Sequence, residues 1–167
     1  MKTPAGKIRS RERIHKDPQI EDTAHDPYRE RHKPKGAAFC PTCGAVFEQG
    51  RWQWGAHPAA AHEHVCPACH RIKDQLPAGY VTLEGPFFEA HRDEILGLLR
   101  NEEETVKKEH PLERIMSIEQ AGKDTVVHTT GVHLARRFAD AIHRGYKGEL
   151  KMQYAPDEFR LRVHWVR

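Results

Sequence analysis

Two hydrophobic periods organise the C-terminal third of the chain. Leu150, Met152 and Tyr154 alternate with Lys151 and Gln153, and Phe159, Leu161, Val163 and Trp165 alternate with Arg160, Arg162 and His164. Successive side chains of a strand point to opposite faces, so this period of two predicts two half-buried strands around a turn at residues 155–158. Ile115, Met116 and Ile118, then Thr125, Val126, Val127 and His128, predict two further short strands joined at residues 121–124. Between the pairs the spacing becomes helical. Leu134, Ala135, Phe138, Ala139, Ala141 and Ile142 form an apolar stripe, with Thr130 placed to cap the start and Gly145 near the end. The resulting order is ββαββ, with one helix covering the apolar face of an antiparallel sheet.

Further upstream, residues 80–84 (Tyr-Val-Thr-Leu-Glu) read as a short strand ended by Gly85, and Pro86 suits a first helical turn. Phe88, Ile95, Leu98, Leu99 and Val106 recur at helical spacing from residue 87 to about 109, where Pro111 ends the pattern. Glu103/Lys107 and Glu104/Lys108 are favourably spaced pairs for its exposed side. This segment is predicted to be an acidic connecting helix. Residues 1–36 hold Pro, charge and few large apolar side chains, too little to offset the entropy of ordering, and predict a flexible arm.

Charge sharpens this division. Residues 1–38 carry ten Lys/Arg against six Asp/Glu and residues 134–167 carry eight against four, whereas residues 89–119 carry five against nine. The net charge of +3 therefore conceals two basic ends around an acidic middle. No stretch approaches the ~20 apolar residues that span a bilayer, and the basic N-terminus lacks the apolar core of a secretory signal. A cytoplasmic protein with reduced thiols is the expectation.

All four cysteines lie in two C-P-x-C units, Cys40-Pro41-Thr42-Cys43 and Cys66-Pro67-Ala68-Cys69. Two intervening residues let a tight turn aim both thiolates at one ion, and Gly44 supplies a positive-φ position after the first pair. In a reducing compartment such paired units point to a metal rather than to disulfides. The expectation is one structural zinc ion held by Cys40, Cys43, Cys66 and Cys69. A closed four-thiolate shell has no open position for hydrolysis. His57, His62, His64 and His70 lie nearby, but thirteen histidines are scattered along the chain, and polar loop residues are the better reading of these four.

With Leu150, Met152, Phe159, Leu161, Val163 and Trp165 facing the core, Lys151, Arg160, Arg162 and His164 share the opposite sheet face, which can lie against phosphates. Arg136 and Arg137 extend positive charge onto the helix, and Arg9, Arg11 and Arg13 cluster in the arm. Trp52 and Trp54 are candidates for an aromatic protein contact.

The stretch TTGVHLARRFADAIHRGYKGELKMQYAPDEFRLRVHW resembles part of the nonsense-mediated-decay protein three family, adaptors for export or late maturation of the large ribosomal subunit. That family also begins with CxxC zinc knuckles. The chain is still more similar to short, uncharacterised bacterial zinc-ribbon proteins sharing GRWQWG, CPACHRIKD, PAGYVTLEGPF and HRDEILGLLRNEEE. The eukaryotic members of that family are much longer, and bacteria have no nuclear export, so that activity does not carry over. The resemblance implies a zinc ribbon joined to a small α/β module that touches the ribosome or its RNA.

These readings combine into an α+β protein with four segments. Residues 1–36 are a basic arm, 37–85 a four-cysteine zinc ribbon, 86–110 an acidic connecting helix and 111–167 the ββαββ module. The expected function is ribosome or ribosomal RNA binding in assembly, quality control or stress-time silencing, with no membrane and no small-molecule substrate. A protein–protein adaptor using Trp52 and Trp54 is the alternative. An RNA-processing enzyme is the less favoured one: the chain has no phosphate loop, no HExxH and no GxSxG, so no catalytic residue is assigned.

Overall fold

The computed structural model of the chain describes residues 26–156 and 158–167. The predicted contacts Arg9, Arg11 and Arg13 lie outside them. Strict alternation builds the larger sheet. Strands β5 (Gly79–Glu84), β7 (Asp124–Thr129) and β9 (Leu161–Val166) each bury every second side chain, placing Val81, Leu83, Val127, Leu161, Val163 and Trp165 in one core. Strands β6 (Ile115–Ala121) and β8 (Glu149–Tyr154) complete a five-stranded sheet of order β6-β7-β5-β9-β8.

This sheet is mixed, not antiparallel. Strand β5 sits at its centre, antiparallel to β7 but parallel to β9. The boundary drawn at residue 85 thus separates a strand from its own sheet. Nor is the acidic helix a connector. Helix α3 (Pro86–Lys107) packs on helix α4 (Val132–Tyr146) and buries Phe88, Ile95, Leu96 and Leu99 in the same core as Phe138 and Ile142 of α4. Two helices, rather than one, cover the sheet. At Gly79 α4 comes so close that an added Cβ would collide with the Ala135 Cβ and the Thr129 side chain.

Several local expectations are corrected. Met152 shares the helix-facing side with Val163 but lies on edge strand β8, beyond the helical cover, and is 37% exposed. Glu103 does not pair with Lys107; it accepts the Ile115 N–H at 2.7 Å, and Glu104 takes Lys107 instead. Thr130 does not cap α4. The N-cap is Gly131, and the carboxylate of Glu113 receives the Leu134 N–H at 3.1 Å in place of a local cap.

The cysteine segment forms a second, smaller sheet. Strands β1 (Ala38–Phe39), β2 (Val46–Glu48), β3 (Arg51–Gln53) and β4 (His62–Glu63) take the order β3-β2-β1-β4. Helix α2 (Pro67–Asp74) follows. Part of the expected arm is ordered against it. Helix α1 (Pro27–Arg31) docks because Arg71, buried in α2, pairs with Asp26 at 2.7 Å and places its guanidinium over the Tyr28 ring.

Candidate metal centre and nucleic-acid interface

The two cysteine pairs reach one point by different local structures. Cys40 and Cys43 flank a tight turn closed by the Gly44 N–H to the Cys40 carbonyl at 2.8 Å, with Gly44 at φ 79°. The second pair is not another such turn. Cys66 is the N-cap of α2 and its sulfur accepts the Cys69 N–H at 3.4 Å, while Pro67 occupies the first helical turn. A helix N-terminus favours thiolate over thiol through its unpaired N–H groups and dipole. The Cys66 N–H also donates to the Cys40 sulfur at 3.3 Å, tying the two halves together.

The four sulfurs all lie within 4.8 Å of one another, and Cys43 and Cys66 are 3.8 Å apart. Metal–sulfur bonds of ~2.3 Å at tetrahedral angles require edges of about 3.8 Å, so the cluster fits a metal ion. All four cysteines are free of disulfides, and three of them are buried. Hydrogen bonds from Cys66 and Cys69 hold the Cys43 thiol well below its ordinary pKa, while the bond to Cys43 pushes the Cys69 thiol up to about 11. Among the described residues no other group of three or more His, Cys, Asp or Glu side chains brings its ligand atoms together in this way. His57, His62, His64 and His70 do not assemble into one: His70 stacks on His32 at 3.8 Å, and His64 hydrogen-bonds the His32 carbonyl.

Sequence reading missed the cation that closes this centre. Arg114 directs its Nη2 at Cys66 at 3.2 Å and at Cys43 and Cys69 at 3.5 Å each. Its Nε donates to the Pro111 carbonyl at 2.9 Å, and it is only 9% exposed. Burial alone would lower its pKa; the charges of Cys66, Cys43 and Cys69 outweigh that and raise it. The backbone around Arg114 is latched to the end of β7: its N–H donates to Thr130 Oγ1 at 2.8 Å, and the Thr130 N–H returns to its carbonyl at 2.9 Å. One guanidinium thus joins the metal centre to the larger sheet. A buried Arg only forty-five residues from Cys69 in sequence has no local motif to reveal it.

The open face of the larger sheet carries the predicted cations in register. One row crosses the sheet as His128, Tyr80, Arg162 and Gln153, and the next as Val126, Thr82, His164 and Lys151. They line a shallow depression of about 590 Å³. Tyr80, also missed from sequence, stands at its centre. The guanidinium carbons of Arg160 and Arg162 both lie 5.8 Å from its ring centroid, and His128 meets it edge-on.

The face is less strongly basic than the alternation predicts. Lys151 pairs with Glu149, Arg160 with Glu158, and His164 with Glu84. Arg162 has no carboxylate partner among the described residues. Arg136 and Arg137 do not join this surface. They lie on α4, which covers the other side of the sheet, and Arg137 is held by Glu102 of α3 at 2.6 Å. Trp52 is half-buried and packs against the cysteine cluster, whereas Trp54 is 38% exposed and donates its indole N–H to the Lys107 carbonyl at 2.6 Å.

No protein-family model, no curated protein and no solved structure matches the chain. Among the described residues, no helix is long and apolar enough to cross a membrane.

Proposed function

We propose that this chain is a zinc-stapled RNA-binding factor that acts on the ribosome or its RNA. The observation that carries the reading is Tyr80: an aromatic ring at the centre of an open sheet face, flanked by two guanidinium groups. Proteins that hold single-stranded RNA combine this pair of features. Unstacked bases pack on aromatic rings and arginine planes, and cations take the phosphates. Arg162, without a carboxylate partner among the described residues, is the phosphate contact; Lys151 and Arg160 join when RNA displaces the glutamates that pair them.

Zinc suits the four-thiolate donor set, which has no oxygen ligand and fills a tetrahedral shell by itself. Its role here is structural, and no catalytic residue is assigned. The resemblance to the nonsense-mediated-decay protein three family makes the ribosome the first partner to test. Assembly, quality control and silencing of idle ribosomes are the roles consistent with such binding, and the cytoplasm is where it would occur.

Fluorescence anisotropy of labelled oligouridylate tests the sheet face directly. Base–aromatic stacking is worth about 1–3 kcal/mol per base, so Tyr80→Ala should weaken binding roughly tenfold or more while leaving the fold intact. Binding by Tyr80→Ala equal to that of wild type would remove the face from consideration.

A further inference from the structure

A second surface points to a different partner. A groove of about 780 Å³ runs between the β2–β3 hairpin and the end of α3. Trp52 and Trp54 form its aromatic wall, and Arg29, Lys33, Arg51 and Lys108 surround it, with Glu109 the one carboxylate among the described residues that line it. None of those four cations has an ion-pair partner among the described residues, in contrast to the paired cations of the sheet face. The indole N–H bond of Trp54 to the Lys107 carbonyl fixes the two walls together.

The groove also follows a sheet edge. Strand β3 is the outermost strand of the small sheet, and residues 50–54 all line the cavity. Gln49 and Gly50 turn the hairpin with φ of 51° and 83°, the two positive values of a primed two-residue turn. Such a turn makes the flanking Glu48–Arg51 pair a hydrogen-bonded one, so the next pair, Phe47–Trp52, is not. The Trp52 amide and carbonyl therefore point out of the sheet. Among the described residues neither group has a partner.

We propose that this groove binds an extended acidic peptide segment of a partner protein, which adds to the β3 edge at Trp52. Main-chain hydrogen bonds to an open edge supply affinity, and pockets for alternate side chains supply specificity. Apolar side chains would pack on the two indoles, and intervening Asp or Glu would meet Arg51, Lys33 and Lys108. A nucleic acid would also satisfy the cations, but its sugar-phosphate backbone carries no N–H and cannot continue the exposed strand edge as a peptide backbone does. The groove shares no lining residue with the depression around Tyr80 and offers a different chemistry from it.

Selection of a random displayed-peptide library on the full, metal-loaded chain tests it, with oligouridylate as the competing probe. The expected winners alternate acidic and apolar residues. They should bind Lys33→Gln/Arg51→Gln/Lys108→Gln and Trp54→Ala each about tenfold or more weakly, consistent with loss of complementary charge or of an aromatic anchor. N-methylation of alternate peptide amides should reduce binding to a similar extent. Lys73→Glu/Lys123→Glu, which changes charge elsewhere on the surface, should leave it unchanged. Enrichment without acidic residues, binding that survives the groove substitutions, or no peptide selected while oligouridylate protects Trp54 from quenching would each overturn the proposal.

Discussion

Replacing Arg114 is the most informative perturbation of the metal centre. Four thiolates around a divalent ion leave a net formal charge of minus two, and Arg114 is the cation buried against it. Arg114→Ala removes the bonds to Cys66, Cys43 and Cys69 and leaves the Pro111 carbonyl without its side-chain donor. Removing one partner of a buried ion pair destabilises by about 3–5 kcal/mol, because the remaining charge stays buried without compensation. An exposed arginine truncated elsewhere changes stability by only ~0.5 kcal/mol or less. Arg114→Lys should fall between, since ammonium keeps the charge but cannot fork to several sulfurs. Urea unfolding of metal-saturated protein, followed beside chelator competition, reads both effects. Arg114→Ala should lower the midpoint substantially and release metal to a weaker chelator. If Arg114→Ala unfolds within about 0.5 kcal/mol of wild type and holds its metal equally well, the guanidinium does not compensate the thiolates.

Three further outcomes follow from the same structure. One zinc per chain is expected by metal analysis, and Cys66→Ser should release it; after chelation, limited proteolysis should cut within residues 37–66 before it reaches residues 79–167, which have their own core. Burial raises the Glu113 pKa, so the folded state binds its proton more tightly than the unfolded chain does. That contribution to stability is present at low pH and is lost as pH rises from the ordinary carboxyl range through the raised value; the stability difference between wild type and Glu113→Gln, measured against pH, should show that fall and then level off. Gly79→Ala should destabilise by about 1–3 kcal/mol in denaturant unfolding, because the new Cβ meets Ala135 and Thr129 and α4 must shift.

What the sequence revealed and what it concealed have physical reasons. Alternation at residues 161–166 and the apolar stripe of residues 134–142 made β9 and α4 readable, since burial imposes those periods directly. The paired C-P-x-C units likewise marked the four residues that the structure brings together. Strand β5 was readable as a strand but not as the centre of the sheet, because pairing with β7 and β9 joins residues far apart in the chain. Arg114, Glu113 and Tyr80 act through such long-range contacts: on the cysteines, on the start of α4, and between two arginines. None carries a local spacing signal. The cations were legible but their partners were not, as Arg137 with Glu102 and Lys151 with Glu149 illustrate.

The RNA reading is tested most directly by sedimentation of tagged protein with ribosomes through sucrose gradients at graded salt, comparing wild type with Arg160→Glu/Arg162→Glu. Each neutralised phosphate steepens the loss of affinity with salt, by a slope of about 0.7 per contact on single strands. Wild type should co-sediment with ribosomes at low salt and dissociate as salt rises. The double reversal, whose two side chains flank Tyr80 outside the core, should fold normally but stay at the top of the gradient. Wild-type protein absent from ribosomal fractions at every salt, or a double variant that sediments with the same salt dependence as wild type, would contradict it.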